Sequence, residues 1–355
     1  MGLQLIKPDT RIDFIGFRKI AFILSAVVLL AGLGSLLIKG GPQYGIDFAG
    51  GMIVQVKVDK TIEVSALKAA LEETGLPGLV VQSLGMEDDH EYLIRTSSSE
   101  VSSKEVRTLV SSALTSHLSG VAFDIQRLEM VGPKVGADLR SKALEALFFA
   151  VLVIAVYISG RFEQRWTVAA IMAAALGGGI YAIGLLGLNM GWLIIAAMVM
   201  TIGLCWYLKL NYALGAVVAL IHDVAITIGI FSILDKEFDL TIIAALLTII
   251  GYSLNDTIIV FDRIRENTNA QKDTRRFKSI INQSINQTLS RTIMTSLTTL
   301  LVVACLFVLG GSVIHDFALA LLIGIGVGTY SSIFVASPIL LGFGPSVVGD
   351  TETDA

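Results

Sequence analysis

Apolar runs long enough to cross a bilayer recur along the chain, at 18–38, 139–159, 166–187, 191–208, 212–234, 239–261, 288–309 and 316–341. A hydrocarbon core about 30 Å thick takes roughly 20 apolar residues of helix, so the pattern predicts eight membrane helices. Only Leu188-Asn189-Met190-Gly191 parts the third from the fourth. Between the first and second runs lies a polar interval, 40–136, in which the hydrophobic period changes. Met52 to Val58 has strand character, and 63–74 shows helical spacing through Val64, Leu67, Ala70 and Leu71. Short strands are predicted at 79–84 and 90–96, around the polar turn Glu87-Asp88-Asp89. Residues 102–118 form a second helix with Val106, Leu109, Val110 and Leu114 on one face, and a last strand spans about 122–131. The order βαββαβ predicts a small α+β domain of ferredoxin-like plan. The chain therefore divides into an N-terminal segment with the first helix (1–38), the α+β domain (39–137), a helical bundle (138–345) containing a hairpin at 166–208, and an acidic tail (346–355).

Basic residues orient these helices. Lys7, Arg11, Arg18 and Lys19 precede the first helix, and Arg161, Arg165 and Lys209 fall in turns on the same side. So do Arg263, Arg265, Lys272, Arg275, Arg276 and Lys278, with Arg291 just beyond. The opposite short turns hold Lys236 alone. Both termini are then cytoplasmic, and the α+β domain lies outside. The stretch after Arg18-Lys19 is too long for a signal-peptide core and has no small-residue cleavage site, so it reads as an uncleaved helix.

Composition agrees. The chain is 54% hydrophobic and 16% charged, against about 25% charged in ordinary globular chains. Most of it faces something other than water. The net charge of −4 argues against a nucleic-acid partner. Residues 40–136 hold thirteen acids and eight bases, a net of −5, which leaves the remainder near neutral. Cys205 and Cys305 each sit in an apolar run and read as small core residues, with neither a disulfide nor metal-ligand spacing.

Residues 166–206 align without gaps on 214–254 at an offset of 48, which sets LIIAAMVMTIG on TIIAALLTIIG with six of eleven positions identical. The match suggests a duplication, and low-complexity membrane sequence also produces such matches by chance. The copy lacks the polar groups: Ala174-Ala175 stand where His222-Asp223 do, and Tyr207 and Leu208 where Asn255 and Asp256 do.

Those polar groups are the candidate chemistry. Asp256 sits within TIIGYSLNDTIIVFDRIREN, residues 248–267. A carboxylate at the centre of a membrane helix costs roughly 2.5–3.5 kcal/mol on insertion scales, and such residues usually face a bundle interior or a proton or ion path. Thr248, Tyr252 and Asn255 share one helix face beside it. His222-Asp223 lies mid-span, and Arg291, Thr295, Thr298 and Thr299 make a third polar stripe. Desolvation favours a neutral carboxyl, and a nearby cation favours the charged form. An acid, a partner and a changeable geometry can therefore take up and release a proton. The plainer reading is hydrogen bonding between helices, or, for Arg291, an interfacial cation that snorkels. Gly324 and Gly328 form a small-xxx-small pair suited to close helix packing.

Ordered motifs tie these features together. Tyr44-Gly45-Ile46-Asp47-Phe48-Ala49-Gly50-Gly51 follows the first helix, and Val131-Gly132-Pro133-Lys134-Val135-Gly136 precedes the second. Arg161-Phe162-Glu163, Ala219-Leu220-Ile221-His222-Asp223-Val224, the run Gly251 to Asn267 and Arg291-Thr292 continue the series. Over nearly its whole length the chain resembles the SecF members of the SecD/SecF protein-export family, within the resistance-nodulation-division (RND) superfamily. The resemblance implies a proton-driven accessory subunit of the Sec translocase in the bacterial inner membrane, without enzymatic activity, cofactor or metal. It implies pairing with SecD beside the SecYEG channel, with YajC and YidC as further companions, and cycling of the periplasmic domain on a translocating preprotein. It maps the family carboxylate onto Asp256, with Asn255 beside it, the family arginine onto Arg291, and a histidine–aspartate pair onto His222 and Asp223. A second carboxylate would come from SecD. Asp47, Gly50, Gly51, Gly132, Pro133 and Gly136 carry the signature motifs. Usual members have six membrane helices, so the hairpin at 166–208 departs from the pattern; it reads most simply as lipid-facing padding, the alternatives being a contact to SecD or another partner and a neutral duplication. The rival readings are a small proton-coupled exporter of the same superfamily and a membrane-anchored binding module. The small external domain and the helix count weigh against the first, and the buried polar residues against the second. The motifs of an intramembrane protease are lacking.

Overall fold

A computed structural model describes residues 11–84, 90–97, 102–118, 120–163, 166–184, 190–271 and 277–342. The turn 87–89, the break at 188–189, Lys7, Arg165, Lys272, Arg275, Arg276 and the acidic tail lie outside these residues. The chain opens with helix α1 (Arg18–Ile38) and the short α2 (Ile46–Ala49). The α+β domain follows as β1 (Gly51–Val58), α3 (Val64–Glu72), β2 (Val80–Leu84), β3 (Glu91–Thr96), α4 (Ser103–His117) and β4 (Phe123–Val131). The bundle comprises α5 (Pro133–Glu163), α6 (Trp166–Gly184), α7 (Met190–Tyr207), α8 (Asn211–Ile233), α9 (Leu240–Gln271), α10 (Phe277–Leu309) and α11 (Gly311–Ser331). A π turn, Ser332–Ala336, continues α11.

Six helices among the described residues are long and apolar enough to cross a membrane: Arg18–Ile38, Pro133–Glu163, Asn211–Ile233, Leu240–Ala270, Phe277–Leu309 and Ile314–Gly342. The hairpin helices α6 and α7 are apolar over the shorter stretches Trp166–Gly179 and Ile195–Tyr207. They pack on α5, with α7 also against α8, and bury Met172, Leu176 and Cys205. Cys305, expected in the core, is exposed on α10. On a membrane helix an apolar side chain is as well placed facing lipid as facing protein, so hydropathy alone does not separate the two.

In the α+β domain the strands are ordered β2-β3-β1-β4 and every neighbouring pair is antiparallel. Strand alternation decides the faces. Val54, Val56 and Val58 point into a core with Leu67, Leu71, Val106, Val110 and Leu114. Gln55 points the other way and donates to Glu91 and Gln126. Leu109, placed by spacing on the buried face of α4, is 36% exposed, and Ala113 is buried instead. Ser102 and Glu105 form a capping box that starts α4.

The signature motifs form the neck between domain and bundle. Gly51 begins β1 at φ +128, and a Cβ there would lie 2.5 Å from the Thr96 carbonyl oxygen. Gly50, at φ +77, sits against the backbone of Pro133. Neither position admits an L side chain without strain. Pro133 opens α5, where its missing N–H costs nothing, and the Gly136 amide closes the first turn onto the Gly132 carbonyl at 2.9 Å. Asp47 accepts from the Leu240 amide at 3.0 Å. It therefore satisfies the first amide of the helix that carries Asp256, where a carboxylate also suits the helix dipole. Arg95 of β3 pairs with Glu237 of the α8–α9 turn, a second tie between domain and bundle.

Candidate proton site in the membrane bundle

Asp256 points into the bundle and is fully buried. One carboxyl oxygen, Oδ2, faces two hydroxyls: Ser296 of α10 at 3.2 Å and Thr329 of α11 at 3.4 Å. Those hydroxyls are themselves 2.7 Å apart. The other oxygen, Oδ1, is buried with no hydrogen-bond partner among the described residues. Helix packing makes this arrangement possible. Gly324 and Gly328 of α11 lie against Ile249 and Ser253 of α9, where a Cβ would come within 2.2 and 2.9 Å of those side chains. The close approach predicted for the glycine pair thus brings Thr329 to the acid.

The chemistry follows from the partners. An ionised carboxylate is an acceptor only, with about four lone-pair positions to satisfy. An uncompensated buried charge costs several kcal/mol. Hydroxyls on one oxygen and nothing on the other suit the neutral acid, and ionisation needs a new donor or cation.

A second buried carboxylate differs. Asp223 of α8 accepts on Oδ2 from Ser253 of α9 at 2.5 Å and from Ser331 of α11 at 2.8 Å. Its Oδ1 lies 2.9 Å from His222 Nδ1, and His222 Nε2 lies 2.9 Å from Ser25 Oγ of α1. Four helices therefore converge on this pair.

The remaining expected residues are placed apart from Asp256. Asn255 is exposed, as adjacent residues on a helix point about 100° apart. Arg291 is also exposed, and has no carboxylate within ion-pair distance among the described residues. It precedes Ser296, the residue facing Asp256, by five positions on α10, about 140° around the helix and about 7.5 Å along it. The structure thus does not bring Arg291 and Asp256 together. Thr248 and Thr298 are exposed as well, and Tyr252 donates to Thr299 at 3.4 Å between them. The polar faces of α9 and α10 form one outward stripe.

Sequence reasoning missed Ser25, Ser253, Ser296, Thr329, Tyr330 and Ser331. One signal was available. Thr329-Tyr330-Ser331-Ser332 is a run of four hydroxyls in an otherwise apolar helix. The π turn begins at its last residue, ahead of Pro338, which lacks an amide to donate. Among the described residues no cluster of His, Cys, Asp or Glu could hold a metal ion.

Fold and site together define a multi-pass helical membrane protein with a small α+β domain at one face and acids buried in its bundle. Two family profiles match the chain. "Protein export membrane protein SecD/SecF, C-terminal" covers 110–204 and 188–345, and "SecD/SecF GG Motif" covers 35–62. The two segments of the first overlap within the hairpin, where the internal repeat lies. The chain is 42% identical to a protein translocase subunit SecF of Magnetococcus marinus, over 96% of this chain and 94% of that one. It is 37% identical to the SecF subunit of Vibrio alginolyticus, over 96% and 92%. Among solved structures it is similar to SecDF, a translocon-associated membrane protein from Thermus thermophilus, with a TM-score of 0.69 and 32% identity. That similarity covers 95% of this chain and 39% of the other, so the chain spans well under half of that protein. The chain belongs to the SecF family of protein translocase subunits.

Proposed function

We propose that this subunit couples the proton-motive force to late steps of preprotein export, with Asp256 as the group that takes up and releases the proton. The observation that carries this reading is the one-sided environment of Asp256: two hydroxyls on Oδ2 and none on Oδ1. That environment suits the loaded acid and leaves room for a donor to stabilise the unloaded one. Arg291, Asn255 and the His222–Asp223 pair complete the proposed path, Arg291 as a cation reached in another arrangement of the bundle. The exposed stripe of Thr248, Asn255, Arg291 and Thr298 supports a neighbouring subunit. Hydrocarbon gives the Asn255 amide and the Arg291 guanidinium no partner, so a SecD helix would cover them and supply a second carboxylate. The SecDF protein, of which this chain matches only part, is consistent with that pairing. SecYEG and the translocating preprotein would be the further contacts.

The same proposal sets six spans plus the α6–α7 hairpin, eight in all, in the bacterial inner membrane with both termini cytoplasmic. The periplasmic domain is read as ferredoxin-like, on the strand order β2-β3-β1-β4 and the order of its helices. Asp256→Asn keeps the shape and the hydroxyl contacts but removes the exchangeable proton. With SecD copurifying as before, export should lose its response to an imposed proton gradient. A gradient response equal to that of the parent protein would overturn the assignment.

A further inference from the structure

Counting hydrogens around His222 yields a result that Asp256 does not. Tyr330 Oη donates to the Ala21 carbonyl at 2.7 Å, which commits its one proton. The 3.1 Å contact between Ser25 Oγ and Tyr330 Oη then needs the Ser25 hydrogen. With that hydrogen spent, the 2.9 Å contact between Ser25 Oγ and His222 Nε2 needs a hydrogen on Nε2. Nδ1 meets Asp223 Oδ1 at 2.9 Å, and that contact needs a hydrogen of its own, on either atom. The pair thus holds one proton more than a neutral imidazole beside a carboxylate. An imidazolium with a carboxylate, or an imidazole with a carboxylic acid, satisfies the count, and both are net neutral, as burial demands.

We infer that His222 and Asp223 form a second proton-carrying site, separate from Asp256, whose occupancy is registered on the first membrane helix through Ser25. When the proton leaves, Asp223 keeps its hydroxyls from Ser253 and Ser331, and Nδ1–H keeps Oδ1. Nε2 becomes an acceptor. The Ser25 hydrogen turns to it, and one of the two hydrogen bonds between α1 and Tyr330 is lost. With the pair loaded, Ser25 ties α1 to both α8 and α11; with it empty, Ser25 is tied to α8 alone and only the Ala21–Tyr330 bond still joins α1 to α11. This helix runs directly into the neck of the α+β domain, so the site can act on that domain without Asp256. The inference rests on the proton-coupled reading of the family for its use, but not for its existence.

Few other ionisable groups face the pair. α1 has none between Lys19 and Lys39. α9 supplies Asp256 one turn beyond Ser253, and α11 supplies the Tyr330 phenol, whose ring stacks on His222 at 6.1 Å. α5 contributes Val151 and Ala155 to the surrounding core, with Tyr157 turned outward. α7 contributes Cys205, which is directed at Met172, and the π turn has no ionisable residue.

The test is ¹⁵N-histidine NMR of the full-length chain in lipid nanodiscs, with any subunit that copurifies. The chain has four histidines, and His222→Gln assigns the signal. Nε2 of His222 should carry hydrogen at the acid end of a pH series and lose it at the alkaline end. Asp256→Asn should leave that transition in place. Tyr330→Phe keeps the ring and removes both the acceptor for Ser25 and the bond to the Ala21 carbonyl; only the first differs between the loaded and empty pair, so the ratio of loaded to empty Nε2 at fixed pH should fall roughly fivefold, the equivalent of one neutral hydrogen bond. An Nε2 that never changes state, or a ratio untouched by Tyr330→Phe in folded protein, overturns the inference. A static His222 in a chain whose gradient response still depends on Asp256 would sink this site alone. A titrating His222 with an indifferent Asp256→Asn would sink the Asp256 assignment and leave this one standing.

Discussion

Replacing Gly51 by alanine tests whether the neck between domain and bundle is as tight as its backbone contacts require. The substitution adds one methyl group at φ +128, 2.5 Å from the Thr96 carbonyl oxygen. The backbone conformation alone costs an L residue about 1–3 kcal/mol, and forcing the neighbour aside adds about 1–3 kcal/mol. Met52 pairs with Thr96 in the β1–β3 ladder, so the displacement enters the sheet at its first rung. Hydrogen exchange of β1 and β3 amides in nanodisc-embedded protein reads the loss. A penalty of at least about 2 kcal/mol lowers protection by at least about 30-fold, at 1.36 kcal/mol per factor of ten. Gly75→Ala is the control, with φ +64 and no atom within 4 Å of the added carbon. It carries only the left-handed backbone cost, about 1 kcal/mol. Protection in Gly51→Ala that matches the control would refute the argument from close approach.

Three further outcomes follow. Thr329→Val removes one of the two hydroxyls on Asp256 while keeping shape, and should destabilise the α9–α11 contact by about 1 kcal/mol in thermal unfolding of the solubilised protein; an unchanged midpoint would mean the 3.4 Å contact carries no weight. Glu237→Gln leaves the half-buried Arg95 without its partner, so trypsin should cleave after Arg95 faster than in the parent, and equal rates would show that the domain is held by the neck alone. The Asp235 carboxyl is held below the usual carboxylate range, first by the hydrogen bond from Lys39 and then by its charge. This stabilisation is complete above the ordinary value near pH 4 and is lost as pH falls through the lowered one, so exchange of the Lys236 amide, which donates to Phe231, should be insensitive to the Lys39–Asp235 pair's titration from about pH 5 upward and accelerate only in stronger acid.

Much of this architecture was legible because the environment imposes a period. The α+β domain alternates between water and core, so β1, β3 and α4 fall within a residue or two of their predicted ends. The bundle gives weaker information, since lipid and protein interior are both apolar. That is why Cys305, read as a core residue, is exposed, and why the hairpin, read as lipid-facing, buries Met172, Leu176 and Cys205. Asp256 stood out because a charge in such a run is expensive. Its partners did not, because Ser296 and Thr329 are 40 and 73 positions away and a single hydroxyl is common in membrane helices. The expected Arg291 contact fails on helix geometry: facing Ser296 toward the acid turns Arg291 away. Asp47 was legible as part of a motif, yet its bond to the first amide of α9, beside the cap that Asp239 supplies, appears only once the neck brings it to Leu240, 193 positions along the chain.

The account turns on one side chain changing its protonation. Infrared difference spectroscopy of the chain in its membrane complex, with and without an imposed proton gradient, reads the carboxylic acid stretch directly. The account predicts a band that appears and disappears with the gradient and is absent in Asp256→Asn. A band that never changes, or a difference spectrum that the asparagine variant leaves unaltered, would contradict it.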